Sequence, residues 1–330
     1  MSTTAVANSV RSFLMPHAIT RWVRALAWAS LAVNIGIVGT GGLVRLTGSG
    51  MGCDTWPYCT GSSLVPTSEL GIHGMIEFGN RTLTGVLVVV ALFMYLSVVR
   101  LRPRRLDLAR IAFAIGLGII LQAVVGGITV LMHLHPSVVG THYLISSALV
   151  ALATVLVVRV YREPGPRVRA VGSGYAALAY ATGVAVLVTV VVGILLTGSG
   201  PHAGDAAAAR NGLDPVWWQH VHSWPAYLAF ALTLALVVGA RRTPPALHLR
   251  RWTLVLLGVE LVQIGIGLWQ ARSGLPIVLV NVHMVLAVVL VAAVVVVLMH
   301  VTAPSPTPPS RTPNRSGSLN HSATPTHSPA

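Results

Sequence analysis

Eight stretches of the chain stay apolar long enough to cross a bilayer, near residues 22–44, 73–99, 110–132, 138–158, 174–197, 217–239, 252–270 and 277–301. A spanning helix needs about 20 such residues, each rising 1.5 Å. The pattern predicts an all-α polytopic membrane protein with eight transmembrane helices. Residues 1–20 lack the short apolar core and small-residue cleavage site of a signal peptide, so none is expected. From Ala303 onward the chain is rich in Pro, Ser and Thr. That tail is expected to be disordered, with His321 and His327 as solvated side chains.

The polar positions repeat. LTGSG closes the first run at 46–50 and the fifth at 196–200. Gln122 precedes His142 by 20 residues, and Gln263 precedes His283 by 20. Matching spacings in matching order argue for internal duplication. An even number of helices per unit gives both halves one orientation. The expected architecture is two tandem four-helix bundles related by a pseudo-two-fold axis along the membrane normal. The first unit covers 22–160 with an outer loop at 45–72, and the second covers 174–301. Residues 1–21, 161–173 and 302–330 are the N-terminal segment, linker and tail, all on the cytoplasmic side.

Carrying the register to the second and sixth runs aligns IEFGNR (76–81) with WQHVHS (218–223). Glu77 then matches Gln219, Asn80 matches His222, Arg81 matches Ser223, and Arg45 matches Leu195. The first unit holds charges that the second lacks.

Charge sets the orientation. Only 9% of residues are charged, against about a quarter in a soluble domain. All 22 basic residues are arginines, and 18 of them lie in the N-terminal segment, the 100–110, 159–169 and 241–251 turns and the tail. Arg45, Arg81, Arg210 and Arg272 lie toward the other side. Basic residues stay in the cytoplasm, which puts both termini on the cytoplasmic side of a cell membrane, residues 45–72 outside it and the spans in contact with membrane lipid. The net charge of +14 is therefore orientation, not nucleic-acid binding, because no basic stripe with interleaved aromatics is present.

His142, His222 and His283 lie in the first two turns of helices that begin outside, as does Asn80. They share roughly one depth. An intramembrane histidine is costly and usually pairs or binds something. One alone reads as a packing residue, but histidines at duplicated positions point to a ligand. Two imidazoles on facing helices, with no thiolate or carboxylate beside them, suit haem iron better than zinc, which wants three or four ligands. His220 falls on the opposite face. Small residues nearby (Gly126, Gly127, Ala148; Gly265, Gly267, Ala287) leave room for a flat macrocycle, or simply let helices pack closely. Two axial imidazoles make an electron carrier of the second unit. The first offers His142 opposite Asn80, and a primary amide is a poor ligand, so its haem is more weakly held and is where the chemistry falls.

Glu77 lies one turn before Asn80 on the same helical face, where it would donate a proton or stabilise a cationic intermediate. The alternative is an ion pair with Arg81 or Arg45. Those arginines could each grip a porphyrin propionate, or snorkel to the interface. His73 sits one turn above Glu77, as a proton relay or a boundary residue. Cys53 and Cys59 flank DTWPY in the outer loop, an oxidising place. They read as a structural staple or a redox-active pair. His133 and His135 border the site or are solvated. Glu260 has no counterpart in the third run and is left unassigned.

VRLTGSGMGCDTWPYC (44–59), followed by IEFGNR and by single histidines opening the fourth, sixth and eighth runs, resembles the haem A synthases over roughly residues 25–300. The resemblance implies an eight-helix oxidoreductase that hydroxylates the ring D methyl group of haem O twice, the geminal diol losing water to give the formyl group of haem A. It implies haem O as substrate in the first half, near Glu77 and His142, and haem B as cofactor in the second, held by His222 and His283. Bacterial members often carry a cysteine pair matching Cys53 and Cys59. A haem O synthase is the natural partner, and a homo-oligomer is compatible. Two features depart from the pattern: many members have histidine in place of Asn80, so paired ligation is not carried over to the first half, and CDTWPYC differs from the commoner CPDWPxC. The competing readings are a b-type membrane cytochrome that only moves electrons, from a quinol for example, and a parallel-repeat transporter. A transporter would place its polar groups near the midplane rather than at the outer end.

Overall fold

The computed structural model describes residues 14–242 and 247–305. Eight long helices carry the apolar runs: α1 (Arg21–Leu46), α2 (Gly71–Val99), α3 (Leu106–Leu131), α4 (Pro136–Val160), α5 (Ser173–Ser199), α6 (Pro215–Arg242), α7 (Leu247–Arg272) and α8 (Ile277–His300). Each is long and apolar enough to cross a membrane, so the chain is a multi-pass membrane protein. Local chemistry sets several boundaries. Thr20 caps α1 through its hydroxyl, which accepts from the Val23 amide at 3.4 Å, and α4 opens on Pro136, whose missing N–H costs nothing there.

The two LTGSG copies end their helices differently. In the first, Gly48 takes φ of +69°, and the amides of Gly48 and Ser49 turn back to the carbonyls of Arg45 and Val44. This is a Schellman stop, which needs glycine at the left-handed position. In the second copy α5 runs on to Ser199. There Asn211 donates to the Leu195 carbonyl at 2.7 Å, and Arg45 of the other half donates to the Thr197 carbonyl at 2.9 Å. Side chains from elsewhere satisfy the helix end, so no tight turn is needed.

In the first half α1 packs on α2 and α4, α2 on α3, and α3 on α4. In the second half α5 packs on α6 and α8, α6 on α7, and α7 on α8. Between halves α1 meets α8, α4 meets α5, and α4 meets α8. Exchanging the first four helices for the last four leaves this pattern unchanged, so an axis of pseudo-symmetry runs between α4 and α8. Tyr143 marks it: its hydroxyl donates to the Met284 carbonyl at 2.7 Å. Tyr143 and Met284 each follow a histidine of the repeat, and so are equivalents touching across the axis. One apolar core fills each half, with Met94, Leu108, Ile115 and Leu156 in the first and Leu236, Leu249, Leu256 and Val297 in the second. Leu117, Ile120 and Val124 on α3, and Val184 and Leu187 on α5, are exposed where lipid would lie.

At the arginine-rich end the start of the tail is ordered against the linker, contrary to the expectation of disorder from Ala303 onward. Strand β1 (Arg167–Arg169) pairs antiparallel with β2 (Thr302–Pro304), taking in Ala303 and Pro304. Backbone hydrogen bonds, indifferent to the Pro-rich sequence that follows, offset the entropy of ordering. Residues 1–13 and 306–330, with His321 and His327, lie outside the described residues.

Tyr143→Phe removes the hydrogen bond across the axis and nothing else, and should cost about 1 kcal/mol. A modestly lowered unfolding temperature in detergent would show it; an unchanged temperature would mean that this contact does not help join the halves.

Candidate functional site

His142, His222 and His283 are each six or seven residues into their helices, about 9–11 Å from the arginine-poor end. Each ring is seated on bare glycine backbone of the preceding helix. A Cβ on Gly126 would stand 3.2 Å from Cε1 of His142. One on Gly193 would stand 2.9 Å from Cε1 of His222, and one on Gly267 3.0 Å from Cε1 of His283. Any other residue at these positions would push the imidazole away.

Glycine also uncovers the carbonyl one turn back. The His222 ring interacts with the Thr189 carbonyl and the His283 ring with that of Gln263, each four residues before the glycine. All three Nδ1 atoms are buried and fall short of full hydrogen-bond geometry. A nearby carbonyl favours the proton on Nδ1 and leaves the lone pair on Nε2; that of His283 lies 3.4 Å from the Gln263 side-chain amide nitrogen. The repeated glutamines act alike in both halves. Gln122 donates to the His142 carbonyl at 3.0 Å, and Gln263 to the His283 carbonyl at 3.1 Å. Gln122 also bonds the Ser146 hydroxyl.

In the second half the rings of His222 and His283 face each other with centroids 6.4 Å apart and planes at 75°. An iron–nitrogen bond of about 2 Å on each side, plus about 1.2 Å from each nitrogen to its ring centre, makes about 6.4 Å. The separation of the rings therefore matches that of two imidazoles sharing one iron. Among the described residues no three His, Cys, Asp or Glu side chains gather to hold a metal ion, so a zinc-type ligand set is not formed there. His220 is exposed.

The first half differs at the equivalent place. Asn80 turns to α1, where its Oδ1 accepts from the Thr40 hydroxyl at 2.8 Å, and its Nδ2 would lie 3.8 Å from a Cβ on Gly41. His142 is thus the imidazole that this half offers at the shared depth.

Over this half lies the cysteine loop. Cys53 and Cys59 form a disulfide, and both are buried. Glu77, 5% exposed, holds the loop in place: one oxygen accepts from the Cys53 amide at 2.5 Å, the other from Nε and Nη2 of Arg81 at 3.2 and 2.6 Å. Arg81 donates further to the carbonyls of Cys53, Thr55 and Tyr58. Five bonds use all five of its N–H donors. So of the two arrangements open to Glu77, the ion pair with Arg81 is the one formed, and Arg81 has no donor left for a propionate. Trp56 drops from the loop onto Gly127, where any Cβ would overlap its ring. That position adjoins Gly126, the seat of His142.

Arg45 is likewise engaged, with its Nε donating to the His202 carbonyl at 2.7 Å and its Nη2 to Thr197, so it ties the first half to the α5–α6 loop. His73 is exposed and pairs with the buried Ser49 hydroxyl at 2.8 Å. His133 and His135 are exposed in the α3–α4 turn. Sequence reasoning did not single out Gly193, Trp56 or Thr40 as parts of the site. Gly193 has no matching glycine in the first half, so duplication could not flag it. Of the glycines that were flagged, Gly126 and Gly267 meet histidines, while Gly265 meets nothing.

Residues 24–295 match the family model of the COX15-CtaA cytochrome oxidase assembly proteins. This chain belongs to that family. Among its relatives, a haem A synthase of Symbiobacterium thermophilum is 26% identical over 260 residues, 72% of this chain and 83% of the relative. One from Staphylococcus epidermidis is 25% identical over 240 residues, 67% of this chain and 74% of the relative. One from Exiguobacterium sibiricum is 33% identical over 132 residues; there the match spans 39% of this chain and 43% of the relative, less than half of its length.

If Glu77 anchors the loop, Glu77→Ala should expose the disulfide. Its reduction by an added thiol, followed by alkylation and a gel shift, is expected to speed up several-fold. An unchanged rate would show that the loop holds itself.

Proposed function

We propose that this chain is a haem A synthase, which converts the ring D methyl group of haem O to a formyl group through two hydroxylations and loss of water. The observation that carries the proposal is the opposed His222–His283 pair, 6.4 Å apart, set against a first half where Asn80 stands in the equivalent place. His222 and His283 would hold a haem B there, which would supply one-electron transfer.

His222 and His283 hold and orient that group; Gly193 and Gly267 keep both rings upright. In the first half His142 binds the iron of haem O as single strong ligand, while Asn80 stays with Thr40. The cysteine loop closes this half: Trp56 fills the space above Gly127 and excludes water from the neighbourhood of His142. Glu77 fixes the loop through Cys53 and Arg81, and is an acid on the substrate side able to give a proton when that pair opens. Arg45 and Arg81 hold the loops that border the substrate. The arginine-rich end faces the cytoplasm, so both haem sites lie toward the outer face. A haem O synthase supplies the substrate in the same membrane.

The protein is expressed with a source of haem O, and extracted haem is analysed. Hydroxylated haem O or haem A is expected. A folded, haem-loaded protein that leaves the porphyrin unchanged would point instead to a cytochrome that only moves electrons. His222→Ala or His283→Ala should abolish the low-spin haem spectrum, and Gly267→Ala should reduce it. His142→Ala should keep that spectrum and lose conversion. Loss of the low-spin signal in Asn80→Ala would mean that the halves are assigned the wrong way round.

A further inference from the structure

Glu260 lies near the middle of α7, about 20 Å from either end. It is 4% exposed. One carboxyl oxygen accepts from the Thr233 hydroxyl of α6 at 3.0 Å, and the other is buried with no hydrogen-bond partner. Thr233 is itself fully buried. A carboxyl with so few donors is expensive to bury charged, and a bland packing role is the first thing to test against the fold.

The duplicated half supplies that test. The offset that relates His142 to His283 relates Ile119 to Glu260, and the offset that relates Asn80 to His222 relates Ala91 to Thr233. Ala91 and Ile119 are both buried in the apolar core of the first half. The bundle therefore closes at these two positions with apolar side chains. The acid and its hydroxyl occur only in the half with paired histidines.

Their position relates to that pair. Glu260 lies one turn from Gln263 on the same helical face, and Gln263 bonds the His283 backbone. Two helices pack against α7, namely α6 and α8. On α6 the neighbouring titratable groups are His222 and Tyr227 toward one end and Arg241 at the other; on α8 they are His283 and His300. On α7 itself His248, Arg250, Arg251 and Arg272 lie at least nine residues away. No other titratable side chain of these three helices shares the level of Glu260.

We propose that Glu260, positioned by Thr233, is a proton acceptor coupled to the redox state of the second-half iron. The inference rests on the haem reading above. When one electron enters the ferric centre, the site gains one negative charge; the Glu260 carboxylate takes up one proton and neutralises it. On oxidation the electron and the proton leave together. Burial makes the coupling strong, because the two charges interact across a medium of low dielectric constant.

The experiment is a potentiometric titration of the purified haem-loaded protein with dithionite and ferricyanide at a series of pH values. The midpoint of the low-spin haem is expected to fall as pH rises, by up to about 59 mV for each tenfold drop in proton concentration. Glu260→Gln, which keeps the shape and an acceptor for Thr233, should give a midpoint independent of pH over that range. Thr233→Val should move the pH range without removing the dependence. In wild type, the reduced-minus-oxidised infrared spectrum should show a carboxylic acid C=O band on reduction, a measurement that does not depend on any variant folding. A flat wild-type midpoint, equal slopes in wild type and Glu260→Gln, or no such band would each overturn the proposal while leaving the haem site intact. A wild type without low-spin haem would remove both.

Discussion

Everything at the candidate site depends on imidazole rings lying on naked helix backbone. A histidine ring inside a membrane must place two nitrogens, and lipid offers partners for neither. Here Gly126, Gly193 and Gly267 let the rings of His142, His222 and His283 press within about 3 Å of where a Cβ would stand. In the second half the same gap brings each ring beside a carbonyl, which orients one nitrogen. The helix pairs α3–α4, α5–α6 and α7–α8 must therefore pack closely at just this depth. Close packing of two helices at a glycine and positioning of a ligand are one and the same contact.

Duplication then provides a frame in which differences carry meaning. Across the axis between α4 and α8 the two halves share helix order and the glutamine–histidine clamp. They differ in what fills several equivalent places. His222 is replaced by Asn80, which turns to Thr40; Gln219 and Ser223 are replaced by Glu77 and Arg81, which secure a disulfide loop. Thr233 and Glu260 are replaced by Ala91 and Ile119. One half has two facing imidazoles and a buried acid below them. The other has one imidazole, a capping loop and a charged pair that holds the cap. A single fold thus furnishes its two copies with different chemistry at the same depth.

The halves are not independent bodies. Arg45 reaches from α1 to the end of α5 and the loop beyond, the Gly50 amide donates to the Gly204 carbonyl at 2.8 Å, and Tyr143 bonds Met284 on the axis. Arg45 has no equivalent in the second half, where Leu195 stands. The charge that looked like a substrate grip instead joins the two units, at the end of the molecule where both histidine levels lie.

Eight helices, their duplication and the depth of the histidines were all legible in the chain, because hydrophobic length and spacing are local properties set by the bilayer and the helical rise. Helix ends fell within a few residues of the apolar runs for the same reason. Partners were not legible. Whether Glu77 meets Arg81 or a substrate, whether Arg45 faces a propionate or another loop, and which glycine receives which ring depend on how helices far apart in sequence rotate against each other. Gly193 and Trp56 could not be found from one copy of the repeat, since their meaning lies in the helix opposite. Periodicity sets which face of a helix is apolar; only packing among eight of them decides what each polar group on that face will touch.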